Sequence, residues 1–226
     1  MNKLLVINAH PEVDSTSSFS LNVLDYFLKI YKERHSHDEV IEQINLYKDV
    51  IPPVDQTVLS AWGKLGNGQK LTIEEQEVTK RMTEVLEQFK SADKYVIVYP
   101  LHNFNIPSKL KDYMDNILIA KETFKYTSNG SVGLLNDGRS MLVIQASGAI
   151  YTNNDGYTEI EYSHKYLKSM FTFLGIEDYD ILRIQGTSVL DKDKLLEKAY
   201  KDAEAAASTL AANDRSIGNL KGIDNL

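Results

Sequence analysis

Three short stretches of this chain carry residue types that can hold a ligand. The first is His10 followed by a run of hydroxyls, Ser15, Thr16, Ser17, Ser18 and Ser20, with Phe19 set among them. Apolar residues begin to recur at helical spacing from there, through Leu21, Leu24, Phe27, Leu28 and Tyr31. Hydroxyls at the start of a helix make an anion site, because the first backbone N–H groups lack partners and the helix dipole adds partial positive charge. The same serines also fit as ordinary N-caps with no ligand. The second stretch is Pro100-Leu-His-Asn-Phe104, which combines backbone amides, the Asn103 side chain and an aromatic ring. It reads either as a ligand platform or as an ordinary connection from strand to helix. The third is Ala146-Ser-Gly-Ala149, where small side chains let the backbone come close to another group.

Each stretch follows a segment that reads as a strand. Tyr95–Tyr99 is an apolar run without alternation, as expected of a strand buried on both faces of a parallel sheet, Lys3–Ala9 is a short buried strand around the continuous run Leu4-Leu-Val-Ile7, and Arg139–Ala146 is the fourth strand. Glu39–Leu46 alternates and belongs at an edge, and Tyr179–Gln185 is the fifth strand. Helices are predicted over Phe19–Arg34, over Thr72–Ser91 with Thr72 and Glu75 as a capping box, and after Pro107 as far as Leu118. Two more are predicted over Tyr157–Leu174, stopped by Gly175, and over Lys192–Leu210. Trp62–Gly68 reads as a glycine-rich loop, Ala120–Gly138 as a long functional excursion, and the residues from Ala211 as a loose tail. No hairpin signal is read. This alternation predicts an α/β, doubly wound parallel sheet in the order 2-1-3-4-5, within one domain spanning residues 1–210. That order turns all three stretches toward one crevice at the switch point, suited to a planar ligand with a phosphate at one end.

Composition removes several alternatives. The chain has 226 residues, a formal net charge of −7 and no cysteine, and its pI is near 5.3. Bulk charge therefore argues against nucleic acid or an anionic membrane as partner, and there is no thiolate nucleophile, disulfide or thiolate metal site. No metal site is expected. Neither a G-x-G-x-x-G nor a G-x-x-x-x-G-K-[ST] pattern is present. The apolar run in MNKLLVINAH is too short for a signal-peptide core or a membrane span, so a cytoplasmic location is expected.

Taken together, Ala9-His-Pro11, Ser18-Phe-Ser20, Ala61-Trp-Gly63 with Gly68-x-x-Leu-Thr72, Pro100–Phe104, Phe124-Lys-Tyr-Thr127 and Phe173-Leu-Gly-Ile176 resemble a known family. The chain is similar to the FMN-dependent NADH azoreductases and NADH:quinone oxidoreductases of flavodoxin-like fold, over nearly its whole length to about Leu210. The resemblance implies bound FMN, with NADH as electron donor. It places His10, Ser17, Ser18, Phe19 and Ser20 at the FMN phosphate, Pro100, Leu101, His102, Asn103 and Phe104 at the flavin ring, and Ala146, Ser147, Gly148 and Ala149 beside its pyrimidine edge. It also implies a homodimer, in which Tyr126 and Phe173 reach the partner subunit's flavin. The chain departs from the family pattern at Leu101-His102, where a Met-aromatic pair is usual, and at Ala146–Ala149, where Ser-Arg/Asn-Gly-Gly is usual.

The reaction that the resemblance implies is ping-pong transfer of two electrons from NADH through FMN to quinones or azo compounds. No side chain is then needed as catalytic acid or base. His102 is a candidate proton donor to the product and equally a plain surface histidine. A flavodoxin-type carrier of single electrons is the alternative in another class, and a flavin-free interaction module is a third.

Overall fold

The strands β1 (Lys3–Asn8), β3 (Lys94–Pro100) and β6 (Ser140–Ser147) are buried almost end to end. Their unbroken apolar runs are explained by helices on both faces. The structure, a computed structural model, describes residues 2–35 and 38–213. Parallel pairing joins these strands to β2 (Val40–Asn45) at one edge and β7 (Asp178–Gln185) at the other, in the order β2-β1-β3-β6-β7. Counting parallel strands alone, this is the expected 2-1-3-4-5.

The pleat sends alternate side chains into two cores. Leu4, Val6, Val96, Val98, Leu142 and Ile144 face α1 (Phe19–Arg34) and α7 (Lys192–Ala212). Ala199, Ala203 and Ala207 recur every four residues on the buried side of α7, in the same core as Leu24, Phe27 and Tyr31 of α1. Leu5, Ile7, Tyr95, Ile97, Tyr99 and Val143 face the opposite layer of α3 (Ile73–Lys90), α4 (Ser108–Ile117) and α6 (Tyr162–Leu174). Local signals set several of the boundaries. The Ser18 side chain caps α1, Thr72 and Glu75 form the capping box of α3, and Gly175 ends α6 at φ 100°.

Four expectations are corrected. Trp62–Gly68 is not a loop: α2 (Gln56–Gly66) runs through Gly63 and most of that stretch. Asp55 caps it by accepting from Val58 N, and the Glu75 carboxylate takes hydrogen bonds from Ser60 Oγ and Lys64 Nζ, both at 2.7 Å. This attachment to α3 outweighs the helix penalty of about 1 kcal/mol per glycine. The excursion after Ala120 contains a hairpin of β4 (Phe124–Thr127) and β5 (Gly130–Gly133) joined by two residues. Its short, glycine-flanked strands carry little alternation to read. The helix expected over Tyr157–Leu174 is two, α5 (Gly156–Ile160) and α6, broken at Glu161, whose side chain caps α6 by accepting from His164 N. Finally, α7 continues to Ala212, past the expected start of the tail at Ala211. Residues 214–226 of that tail lie outside the described residues. Among the described residues no helix is long and apolar enough to cross a membrane.

Candidate functional site

A cleft of about 220 Å³ opens over the carboxyl ends of β1, β3 and β6. Its walls come from all three expected loops: His10; Ser18, Phe19 and Ser20; Pro100 and Leu101; and Ala146, Ser147 and Gly148. Thr187, from the connection between β7 and α7, completes it. This fourth wall was missed by sequence reasoning, although it obeys the same rule of lying beyond a strand's carboxyl end. A larger groove of about 420 Å³ between β7 and α7 draws on none of the three loops, and its lining comes mainly from side chains of an edge strand and an exposed helix face.

The first loop combines both roles considered for its serines. Ser18 Oγ accepts from Leu21 N at 3.3 Å, as an N-cap does, and lies 3.1 Å from Ser20 Oγ. Both residues still face the cleft. Ser17 does not: it is exposed, with its hydroxyl 3.2 Å from Ser15 Oγ. His10 is held by its backbone N–H donating to Asn8 Oδ1 at 3.0 Å. Its Nδ1 lies 3.0 Å from Glu12 N, whose N–H it accepts when Nδ1 carries no proton, and 2.9 Å from Glu12 O, to which it donates when Nδ1 is protonated, in the neutral or the cationic ring. Burial lowers the His10 pKa below its ordinary value, partly offset by the Glu12 carbonyl and carboxylate.

The second loop begins with Leu101 N donating to Ala146 O at 2.7 Å, which stitches it to the third. It then turns back on itself through reciprocal bonds, His102 N to Asn105 O at 3.0 Å and Asn105 N to His102 O at 2.9 Å. The two residues between, Asn103 and Phe104, have φ of 45° and 65°. Left-handed backbone at both central positions belongs to a tight two-residue turn, and asparagine is among the residues that tolerate it. His102, Asn103 and Phe104 are exposed and continue outward from Leu101, beyond the cleft lining. The Phe104 ring meets Tyr151 at 6.2 Å and Tyr157 at 6.4 Å, and those two rings lie 5.7 Å apart. Burial raises the Tyr151 hydroxyl pKa. Neither tyrosine stood out in the sequence, because the turn that gathers them is made by residues far away along the chain.

The third loop is clasped by the fourth. Thr187 N donates to Ser147 O, Ser188 N to Gly148 O and Gly186 N to Ala149 O, at 3.1, 3.2 and 3.1 Å. A Cβ on Gly148 would stand 2.8 Å from Ser188 Oγ, so the serine hydroxyl would have to turn away to admit one. Ala149 lies outside the cleft lining, its carbonyl taken up by this clasp. Tyr126 and Phe173 are also elsewhere: both pack on Phe124, at 5.4 and 5.0 Å, and Tyr126 is 76% exposed.

Beneath the cleft lies a buried polar cluster. Gln145 Nε2 donates to Ser163 Oγ at 2.7 Å, to Tyr99 OH at 3.2 Å and to Glu161 Oε1 at 3.2 Å. Tyr99 OH donates to Ser163 Oγ at 3.1 Å, and the Ser163 hydroxyl in turn donates to Glu161. Tyr99 and Gln145 immediately precede Pro100 and Ala146, so the cluster braces two walls from below. Among the described residues no group of three or more His, Asp or Glu is placed to hold a metal ion.

A doubly wound sheet in this order, with its cleft between the loops of the first, third and fourth parallel strands, defines the architecture shared by flavodoxins. The chain belongs to the family described as flavodoxin-like fold, which matches residues 2–207. It is 71% identical over 211 residues to FMN-dependent NADH:quinone oxidoreductase 1 of Bacillus anthracis, covering 93% of this chain and 96% of that one. It is 43% identical over 210 residues to FMN-dependent NADH:quinone oxidoreductase 1 of Lactiplantibacillus plantarum, covering 91% and 97%. Among solved structures, an FMN-dependent NADH-azoreductase from Bacillus anthracis in complex with FMN superposes with a TM-score of 0.92 at 71% identity, covering 93% of this chain and all of the other.

Proposed function

We propose that the protein is an FMN-dependent NADH:quinone oxidoreductase that also reduces azo compounds, with residues 1–210 as its FMN-binding unit. The observation that carries this reading is the convergence of the His10, Ser18–Ser20, Leu101 and Ala146–Gly148 segments on one cleft. The donor set fits the cofactor: hydroxyls and helix N-terminal amides for a phosphate, and an exposed loop with an amide and an aromatic ring for a planar heterocycle. When bound, FMN supplies the redox chemistry, accepting a hydride from NADH and passing the electron pair to the acceptor.

The chain's own residues position and shield. Ser18, Ser20 and the first amides of α1 hold the phosphate, with His10 beside them, while Ser17 points away from the cleft. Pro100, Leu101 and the turn through Asn103 and Phe104 form the ring side, while the backbone at Ala146, Ser147 and Gly148 lines the opposite edge, ahead of Ala149. His102 is exposed on the same turn and available to donate a proton to the product. Exposed Tyr126, on a hairpin backed by Phe173, suits contact with a second subunit, and a homodimer acting in the cytoplasm completes the reading. The high identity to oxidoreductases over nearly the full length supports this over a flavodoxin-type carrier of single electrons.

Steady-state NADH oxidation tests it. Double-reciprocal plots at several quinone concentrations should be parallel, because donor and acceptor take turns at one site. Intersecting lines, or no NADH oxidation by the FMN-loaded protein, would overturn the alternating scheme or the activity respectively.

A further inference from the structure

The start of α7 brings a full positive charge, which the three expected loops lack, beside the cleft wall at Phe19. Ser18, Ser20 and Thr187 offer neutral hydroxyls, and burial favours the neutral form of His10. Yet a phosphate monoester carries roughly −1.5 to −2 charges at pH 7. Lys192 is the first residue of α7, exposed, with Nζ 5.8 Å from the centroid of the Phe19 ring. Phe19 is itself a wall of the cleft and the first residue of α1. The ammonium group therefore lies over a ring that lines the cleft.

A lysine in the first turn of a helix opposes the dipole rather than complementing it. The cap of α7 is Asp191, whose carboxylate is engaged with Lys194 N at 3.0 Å. Among the described residues Lys192 makes no ion pair, whereas Lys198 and Lys201 on the same helix each pair with a carboxylate on that helix.

We propose that Lys192 is a phosphate-binding residue of the cofactor site, its ammonium moving from the Phe19 ring to the phosphate held at the start of α1. This rests on the FMN reading above. The flexible four-carbon stem keeps Phe19 and the cleft both within reach, and a compact ammonium suits a phosphate as a point charge. Thr187 and Lys192 then make the β7–α7 connection a second anion-binding segment beside the Ser18 loop.

Flavin titration by fluorescence quenching tests the assignment, using FMN and riboflavin, which differ by the phosphate alone. Lys192→Gln should weaken FMN binding by about threefold to tenfold, the range of an exposed to partly shielded charge contact. Riboflavin binding should be unchanged. The variant should also lose part of the salt dependence of FMN affinity, and inorganic phosphate should compete with FMN less well than in the wild type. An equal loss for both flavins, or unaltered FMN affinity with unaltered salt dependence, overturns the role of Lys192 while leaving the cofactor reading intact. A wild-type protein that binds neither flavin overturns both.

Discussion

The Tyr162 backbone N–H donates to the Phe104 carbonyl at 2.9 Å, fastening the exposed turn at the cleft to the first residue of α6. The residue before Tyr162 is Glu161, which breaks the helix, caps α6 and accepts from Gln145 and Ser163 below the cleft. One buried carboxylate thus links the base of two cleft walls to the outer end of the second.

Replacing that carboxylate should therefore be costly. Glu161→Ala takes the carboxylate acceptor from the Ser163 hydroxyl, removes one of the three acceptors around the Gln145 amide and uncaps α6, and a loss of about 3 kcal/mol is expected. Glu161→Gln keeps an oxygen acceptor in place and should cost less than Glu161→Ala. Urea unfolding of both variants checks the order. Equal stability of Glu161→Ala and wild type would remove the bracing role.

The Asn103 side chain and backbone can be separated. Asn103→Gly preserves the left-handed backbone and removes the amide, whereas Asn103→Ala removes the amide and adds about 1 kcal/mol of backbone strain. If the amide orients the flavin ring, both variants should slow anaerobic reduction by NADH when saturated with FMN, with little change in FMN occupancy. Stopped-flow measurement of flavin bleaching decides. A wild-type rate in Asn103→Gly would assign the position to turn geometry alone.

Gly133 marks where the β4–β5 hairpin docks. A Cβ there would lie 2.3 Å from Leu174 C and 2.5 Å from Leu174 O, in backbone that cannot rotate away. Gly133→Ala should destabilise the protein by about 1–3 kcal/mol through overpacking. A urea midpoint equal to the wild type's would show that the hairpin shifts freely on α6.

Acidification should weaken the cofactor-free protein through His10. Its folded pKa lies below the ordinary 6.5, so between those values the unfolded chain binds more protons than the folded one. This histidine's effect on stability is absent above about pH 6.5 and grows as pH falls toward the folded pKa. His164, also lowered chiefly by burial, acts in the same direction. Unfolding curves from pH 8 to 5 should show a shallower loss for His10→Gln than for wild type. A steeper loss would reverse the sign of the coupling.

Much of the site was legible because its signals are local. Ser18 and Thr72 cap helices through side chains that reach only three residues, and Gly175 stops one through its own φ. The apolar runs of β1, β3 and β6 record burial on both faces in their composition. Thr187 and Lys192 carried no such mark, because a threonine after a strand and a lysine at a helix start are common.

The residue pattern by itself determined which segments are central strands and where most helices begin and end, since capping and burial act within a few residues. Tertiary structure alone decided that Gly63 and Gly66 are helical, that Glu161 divides a helix and that a hairpin docks on Leu174. It also decided which loop residues line the cleft. Ser18 and Gly148 line it while Ser17 and Ala149 do not, a difference of one position within each loop. The physical reason is that such choices rest on contacts distant in sequence, such as Leu101 N to Ala146 O and Gly186 N to Ala149 O. Their geometry exists only once the strands are in register.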